Sequence, residues 1–293
     1  MKIAVLGTTG MLGSTVVKFI SGDFGQVWEF NRLGKSIVEG NIGNFLDVTE
    51  KASLENFTKI AGFDYVINCV GLIKQRIEED SEEQVKLAYK LNSEFPSFLS
   101  EFSSRSSTKI IQIGTDCVFS GLEGNYDENS QFDCTDVYGL SKVEGENRSS
   151  QLMTIRTSII GHELNSAISL MDWLVSQSPN SKVQGYANHY WNGVTTLAFA
   201  RIIQGIIKNN SFSPGTLHLI PKDQVSKFEL LQILAEMFGR KDIAISEFQA
   251  EIAVNRTLAT LFPHENEQLW LNAGYTEVPS IAELIQEYAE WSS

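Results

Sequence analysis

Tyr138 and Lys142 stand four residues apart in the stretch VYGLSKVEGE. On a helix, such positions share a face, which brings a phenol beside an ammonium. A nearby cation favours the phenolate and lowers the tyrosine pKa. That suits the tyrosine to protonating a carbonyl oxygen near neutral pH. Thr115 and Asp116 follow an apolar, strand-like run over 109–114. A threonine hydroxyl there can hydrogen-bond the same oxygen and hold it for attack. The Tyr–Lys spacing also arises by chance on exposed helix faces, so the reading needs a cofactor and a fold behind it.

The start of the chain supplies both. Residues 2–6 are a short apolar run that reads as a strand buried on both faces. GTTGMLG follows, with Gly7, Thr9, Gly10, Met11, Leu12 and Gly13, and then the helix-like STVVKFI. Glycines between a strand and a helix permit a tight turn and let backbone amides approach a pyrophosphate. The spacing is G-x-x-G-x-x-G, and a ligand-free glycine turn is the alternative. The position after a buried strand and before a helix favours dinucleotide binding.

A second strand over 26–30 ends in Asn31 and Arg32. An acidic residue at this place would take the adenosine ribose hydroxyls, whereas an arginine favours a 2′-phosphate. The expected cofactor is therefore NADPH, with NADH as the alternative, or else Arg32 points only to solvent. Residues 45–48 read as a short strand end. There Asp47, beside Val48, either accepts from an adenine amino group or caps the next helix. Another buried-type strand over 64–69 ends at Cys69, Val70 and Gly71, where ligands lie in open α/β sheets. Lys74 and Arg76 follow in an acidic run that reads as a solvated loop and helix start, or else, just past the strand end, they reach a substrate phosphate.

Further elements expected are a helix over 85–102 kinked at Pro96, a long polar loop over 121–137 and a sixth strand over 153–160. A helix over 168–176 is followed by an aromatic, loop-like stretch over 183–194. Then come a helix over 195–208, a strand over 215–220, a helix over 227–238 capped by Ser226, and a strand over 243–248. Ser280 and Glu283 mark a capping box for the last helix. Alternating strands and helices imply an α/β fold with a doubly wound parallel sheet and right-handed crossovers. The rhythm changes after Gly161. The expected division is a Rossmann-like cofactor domain of residues 1–160 and 196–221, and a smaller mixed lobe of residues 161–195 and 222–293.

Composition is that of a globular protein, 42% hydrophobic and 20% charged over 293 residues. A formal net charge of −13 argues against nucleic acid or an anionic membrane as partner. The three cysteines Cys69, Cys117 and Cys134 form no disulfide framework or zinc spacing. The four histidines have no metal-ligand spacing either, and His218, in an apolar strand, reads as packed. No apolar stretch approaches a membrane span. A cytoplasmic protein without a metal is expected.

Taken together, these residues resemble the extended short-chain dehydrogenase/reductase superfamily, and within it the dTDP-4-dehydrorhamnose reductase group of nucleotide-sugar reductases. The motifs that carry the likeness are GTTGMLG at 7–13, LNSEFP at 91–96, GTDCVFSG at 114–121, GNYDE at 124–128, YGLSKVEGE at 138–146 and IRTSIIG at 155–161. GVTT at 193–196 and GTLHLI at 215–220 follow in order. The resemblance implies hydride transfer from a nicotinamide to a sugar ketone. It assigns Thr115 to polarising the carbonyl and Tyr138 to protonating its oxygen. Lys142 would lower the tyrosine pKa and bind the nicotinamide ribose.

The expected substrate contacts are Lys74, Asp116, Cys117, Asn165, Trp191 and Arg256, the last matching a family segment whose arginine meets the nucleotide diphosphate. Related 4,6-dehydratases carry a glutamate where this chain has Cys117, so dehydration is disfavoured. The expectation is NADPH-dependent reduction of a nucleotide-activated 4-keto-6-deoxy sugar, in cell-surface polysaccharide or glycan precursor synthesis. Its rivals are an NAD-dependent epimerase of the same superfamily and a non-catalytic NADP-binding regulatory protein. The expected partner is a nucleotide sugar, with room for a homodimer.

Overall fold

The computed structural model describes residues 1–60, 62–147, 151–164 and 166–292. Short runs rich in Val, Ile and Phe build β1 (Ile3–Leu6), β2 (Val27–Asn31), β3 (Ile42–Phe45), β4 (Tyr65–Asn68), β5 (Lys109–Ile113) and β6 (Met153–Arg156). Outside this sheet lie β7 (Ile159–Ile160), β8 (Lys182–Tyr186), β9 (His189–Trp191) and β10 (Val194–Thr195). β11 (Gly215–His218) rejoins it, whereas β12 (Val225–Ser226), β13 (Ala244–Phe248) and β14 (Val254–Asn255) do not. The sheet runs β11-β6-β5-β4-β1-β2-β3, with every pairing parallel. Strand order reverses between β1 and β4. In such doubly wound, Rossmann-like sheets the crevice beyond the carboxyl ends at that point receives ligands.

The helices are α1 (Met11–Ile20), α2 (Lys51–Lys59), α3 (Glu82–Tyr89), α4 (Phe95–Ser106), α5 (Val137–Asn147), α6 (Leu170–Val175), α7 (Thr196–Lys208), α8 (Lys227–Met237), α9 (Pro263–Asn272) and α10 (Ile281–Ser292). The two-residue period of a strand divides the core. Ile3 and Val5 pack with α1, α7 and Trp270 of α9. Ala4 and Leu6 face the other way, onto Phe57 of α2 and Phe95, Leu99 and Phe102 of α4. A further cluster unites α6, α8 and α10 with Val183 and Trp191. Among the described residues no helix is long and apolar enough to cross a membrane.

Three elements differ from the sequence reading. The helix expected over 85–102 is two helices joined by a π-helical turn at Lys90–Glu94. Pro96 has no N–H to offer the carbonyl of Asn92. Gly145 of α5 packs against that carbonyl so closely that a Cβ would lie 2.1 Å from it. The strand expected over 153–160 ends at Arg156, and Ile159–Ile160 pairs with β10 instead. Val194 N–H donates to Ser158 O at 2.8 Å, which captures this segment. The stretch over 183–194, read as loop, holds β8, β9 and β10. Their pairing partners, β13, β12, β14 and β7, are all distant in sequence. Ser226 and Glu229 form a full capping box on α8. Ser280 and Glu283 exchange the equivalent hydrogen bonds before α10.

Candidate active site

The glycine turn lies at the switch point. Gly7 has φ +80°, a left-handed conformation that favours glycine. A Cβ on Gly7 would meet the Cys69 carbonyl group at 3.1 Å, so the turn abuts the end of β4. A Cβ on Gly13 would fall 2.2 Å from Gly7 O, so only glycine fits there. Gly10 caps α1 without a side-chain hydrogen bond, and the first turn of α1 carries no acidic residue. Its leading N–H groups are thus available to an anion. Thr9 and Met11 are partly accessible at the turn, while Leu12 packs into the core.

Asn31 is buried and structural. Its Nδ2 donates to Thr8 Oγ1 and to Lys35 O, each at 2.8 Å, and its Oδ1 accepts from Leu33 N–H at 2.9 Å. It ties the end of β2 to the glycine turn, while Arg32 beside it is exposed. Asp47 Oδ1 accepts from Thr49 N–H at 2.9 Å and from its hydroxyl at 2.7 Å, closing a turn ahead of α2, whose N-cap is Glu50 and not the expected Asp47. Burial pulls the Asp47 pKa up, but these bonds and the charges of Arg32 and Lys90 outweigh it and hold the carboxyl low. Val48 is buried in the core, and Val70 and Gly71 sit beyond β4 at the crevice.

Thr115, Tyr138 and Lys142 meet here. Thr115 follows β5, and its hydroxyl bonds both the Tyr138 side chain and the Cys117 N–H, the latter at 3.2 Å. Lys142 Nζ lies 6.0 Å from the centroid of the Tyr138 ring. It also lies so near Gly71 that a Cβ there would approach it to 3.0 Å. Asp136 starts α5 by accepting from Gly139 N–H at 3.0 Å. Lys74, expected at the substrate, forms an ion pair with Asp136 at 2.9 Å and is half exposed. Its ammonium therefore braces the start of the helix that carries Tyr138.

The Tyr138 pKa moves opposite to the direction its spacing from Lys142 predicts. Tyr138 and Lys142 are each partly accessible, yet enough protein surrounds them that burial dominates both titrations. Burial pushes the Tyr138 phenol above its ordinary value, and the Cys117, Asp116 and Asp136 side chains act in the same direction. The Thr115 hydrogen bond opposes them. Burial draws the Lys142 ammonium down to about 8, with Glu146 opposing. At 6.0 Å the ammonium does not offset the loss of solvent around the phenol.

Two supports were not legible in the sequence. Asn92, buried in the π-helical turn, accepts from Leu72 N–H at 2.9 Å and donates to Leu72 O and Ser141 Oγ, each at 3.1 Å. Ser141 Oγ donates to Tyr138 O at 2.8 Å. Asn92 thus joins the loop after β4 to α5. Behind Lys142, the Glu146 carboxylate pairs with Arg156 at 2.5 Å, and both side chains are almost wholly buried. Arg156 Nη1 donates to His218 Nε2 at 2.5 Å. Because arginine only donates and a carbonyl only accepts, His218 carries its proton on Nδ1 and gives it to Ala259 O at 2.7 Å. Burial first, and Arg156 next, draw the His218 pKa down to about 4.

The other wall holds Asp116, Cys117, Trp191 and Arg256. Arg256 Nε donates to Phe119 O at 2.8 Å. Burial raises the Asp116 carboxyl against the pull of Arg256 and Lys227, and burial pushes the Cys117 thiol up to about 12. Nothing in the sequence singles out Lys227, because its N-cap, Ser226, is an ordinary helix start. Its ammonium lies 5.3 Å from the Trp191 ring, and burial draws it down to about 8. Asn165 lies outside the described residues.

Known proteins share this arrangement of elements. A dTDP-4-dehydrorhamnose reductase of Aggregatibacter actinomycetemcomitans is 29% identical over 148 residues, 50% of this chain and 45% of that protein's length. The chain therefore spans less than half of that relative. The methionine adenosyltransferase 2 subunit beta of Danio rerio is 23% identical over 252 residues, covering 81% of this chain and 74% of its own. The crystal structure of a Bacillus anthracis dTDP-4-dehydrorhamnose reductase in complex with NADP superposes with a TM-score of 0.78 at 19% identity, covering 100% of this chain and 99% of its own. At that identity the superposition shows a shared fold. The family model described as the RmlD substrate binding domain matches residues 1–260, from the glycine turn through Arg256. The chain belongs to the RmlD substrate binding domain family.

Proposed function

We propose that this chain is an NADPH-dependent reductase of a nucleotide-activated 4-keto-6-deoxy sugar, making a deoxysugar for cell-surface polysaccharide or glycan precursors. The observation that carries this reading is the meeting of Thr115, Tyr138 and Lys142 at the crevice beside Gly71. The residues around the glycine turn fit a dinucleotide. Gly13 leaves no room for a Cβ, the start of α1 carries no carboxylate, and Arg32 is exposed where a 2′-phosphate needs a cation. The NADP bound by the Bacillus anthracis relative supports the same cofactor. The reduced nicotinamide, when bound, supplies hydride to the ketone carbon.

The chain's own residues handle the oxygen. Thr115 donates a hydrogen bond to it and orients it toward Tyr138. Tyr138, kept protonated by burial, holds a proton at Oη throughout the neutral range and delivers it to the developing alkoxide. Lys142, charged below about pH 8, stabilises the phenolate left behind. Cys117, with its thiol at about 12, offers no second acid–base group for expelling water. The exposed cation at Arg32 weighs against an NAD-dependent epimerase.

The likeness to a subunit of a methionine adenosyltransferase favours a second reading, an NADP-binding regulatory protein. A panel of dTDP-, UDP- and GDP-linked 4-keto-6-deoxy sugars separates the two. The reductase reading expects NADPH oxidation that requires one of these sugars. Tight NADPH binding with no oxidation across the panel favours the regulatory reading.

A further inference from the structure

β2 carries a carboxyl group where a strand of the central sheet calls for an apolar side chain. Val27, Glu29 and Asn31 share one face of the strand, and Glu29 is wholly buried. Among the described residues no cation pairs with it. A buried carboxyl without a cationic partner is costly unless hydrogen bonds satisfy it. Here the loop between β2 and β3 does so. Glu29 Oε1 meets the Ser36 hydroxyl at 2.6 Å and accepts from Val38 N–H and Asn41 Nδ2, each at 3.1 Å. Its Oε2 accepts from Ile37 N–H at 2.9 Å.

The same loop is pinned at two further points. The Asn31 amide holds the Lys35 carbonyl and the Leu33 N–H. β3 lies flush against the loop, since a Cβ on Gly43 would fall 2.2 Å from Ser36 N and 2.4 Å from the Lys35 carbonyl carbon. The loop backbone is thus fixed from both sides, while the side chains of Arg32 and Lys35 stay exposed. Among the described residues neither cation forms an ion pair. Phe30 O, near the end of β2, accepts from Gly7 N–H at 2.8 Å, so the two cations leave the sheet beside the glycine turn. A valine at position 29 would fill the strand without needing any loop donor, and departures from local rules cluster at functional sites. What Glu29 specifies is the loop, and what the loop presents is a pair of cations.

We propose that Glu29 is a positioning residue that sets the preference for NADPH over NADH, by holding the loop that carries Arg32 and Lys35 in one conformation. This inference rests on the NADPH reading of the site. Cations ordered before binding spare the loss of freedom that ordering them on the ligand would cost. Only NADPH carries the 2′-phosphate that gains from this, so the benefit falls on one cofactor and not the other.

Fluorescence titration of the wild-type chain, Glu29→Gln, Ser36→Ala and the double variant Arg32→Met/Lys35→Met with NADPH and with NADH tests it. Glu29→Gln keeps the side chain's shape but leaves one acceptor oxygen for the loop donors. NADPH affinity should fall about tenfold while NADH affinity stays at the wild-type value. Ser36→Ala, which removes a single loop hydroxyl, should move the same ratio by about threefold. Adding Glu29→Gln to Arg32→Met/Lys35→Met should cost NADPH nothing further. Trypsin, which cleaves after arginine and lysine, should cut at Arg32 and Lys35 faster in Glu29→Gln than in the wild type. Equal losses for NADPH and NADH would make Glu29 a purely structural residue and overturn the inference. An unchanged NADPH-to-NADH ratio in Glu29→Gln would overturn it too, leaving the NADPH reading intact. If Glu29→Gln fails to fold, the ratio in Ser36→Ala decides by the same criterion. A wild type that binds NADPH no more tightly than NADH overturns both.

Discussion

Burial sets the protonation of Tyr138 more strongly than the lysine four residues on. A phenol that stays protonated across neutral pH suits a group whose task is to give up a proton once negative charge has developed beside it. The same scale explains why the glycine turn tolerates no enlargement. At Gly13 an added methyl meets the backbone oxygen of Gly7 at 2.2 Å, and backbone cannot swing aside as a side chain can. Gly13→Ala should therefore weaken NADPH binding by about tenfold or more. Fluorescence titration would measure this, and an unchanged affinity would remove the turn from the cofactor site. The glycine turn and the Tyr–Lys pair were legible in the sequence because each is a short-range pattern with a physical reason for its spacing. Lys227 and the Trp191 indole were not, since their significance comes from β9 and β12 pairing across more than thirty intervening residues.

Among the elements, α5 carries most of the candidate chemistry, and its placement depends on a π-helical turn. Asn92 hydrogen-bonds the loop after β4 and Ser141 of α5, while its backbone carbonyl lies against Gly145. Gly145→Ala would drive a Cβ to 2.1 Å from that carbonyl. Overpacking of this kind costs about 1–3 kcal/mol. Chemical denaturation should show a loss of that size, and turnover should fall as α5 shifts Tyr138 and Lys142. Full stability in this variant would mean that the turn yields without cost. Sequence patterns marked the helices on both sides but not the turn. Periodicity cannot separate a kink at Pro96 from a widened turn just before it, and only the partner α5 reveals the difference. The strands of the aromatic stretch over 183–194 are hidden in the sequence for a related reason. Its strands are very short, and most of their partners lie more than 30 residues downstream.

Across the whole molecule, a buried polar chain runs from α5 through Glu146, Arg156 and His218 to Ala259, tying the main sheet to the segment that bears Arg256. Arg156 of β6 and the carboxylates of Glu128 and Asp127 act electrostatically on His218, which donates to Ala259 O and lies edge-on to Phe119. Its folded pKa of about 4 lies below the ordinary 6.5. Between those values the unfolded chain binds a proton that the folded chain refuses. His218 therefore contributes stability that is present above about pH 6.5 and lost as pH falls toward 4. His218→Gln should flatten this slope in denaturation curves taken across that window. A slope equal to that of the wild type would place the titration elsewhere. Read from the sequence, His218 was a packed residue, which its burial bears out. Its link to α5 requires the fold, since Glu146, Arg156 and Ala259 come together through His218 only when β11 joins the sheet beside β6.

In the proposed reaction Tyr138 passes a proton to the oxygen of a sugar ketone. Single-turnover kinetics of Tyr138→Phe, with NADPH and whichever nucleotide 4-keto sugar the wild type accepts, test it most directly. The rate should fall by roughly 10²–10⁴-fold while NADPH affinity stays at the wild-type value. Turnover retained at the wild-type rate would contradict this role.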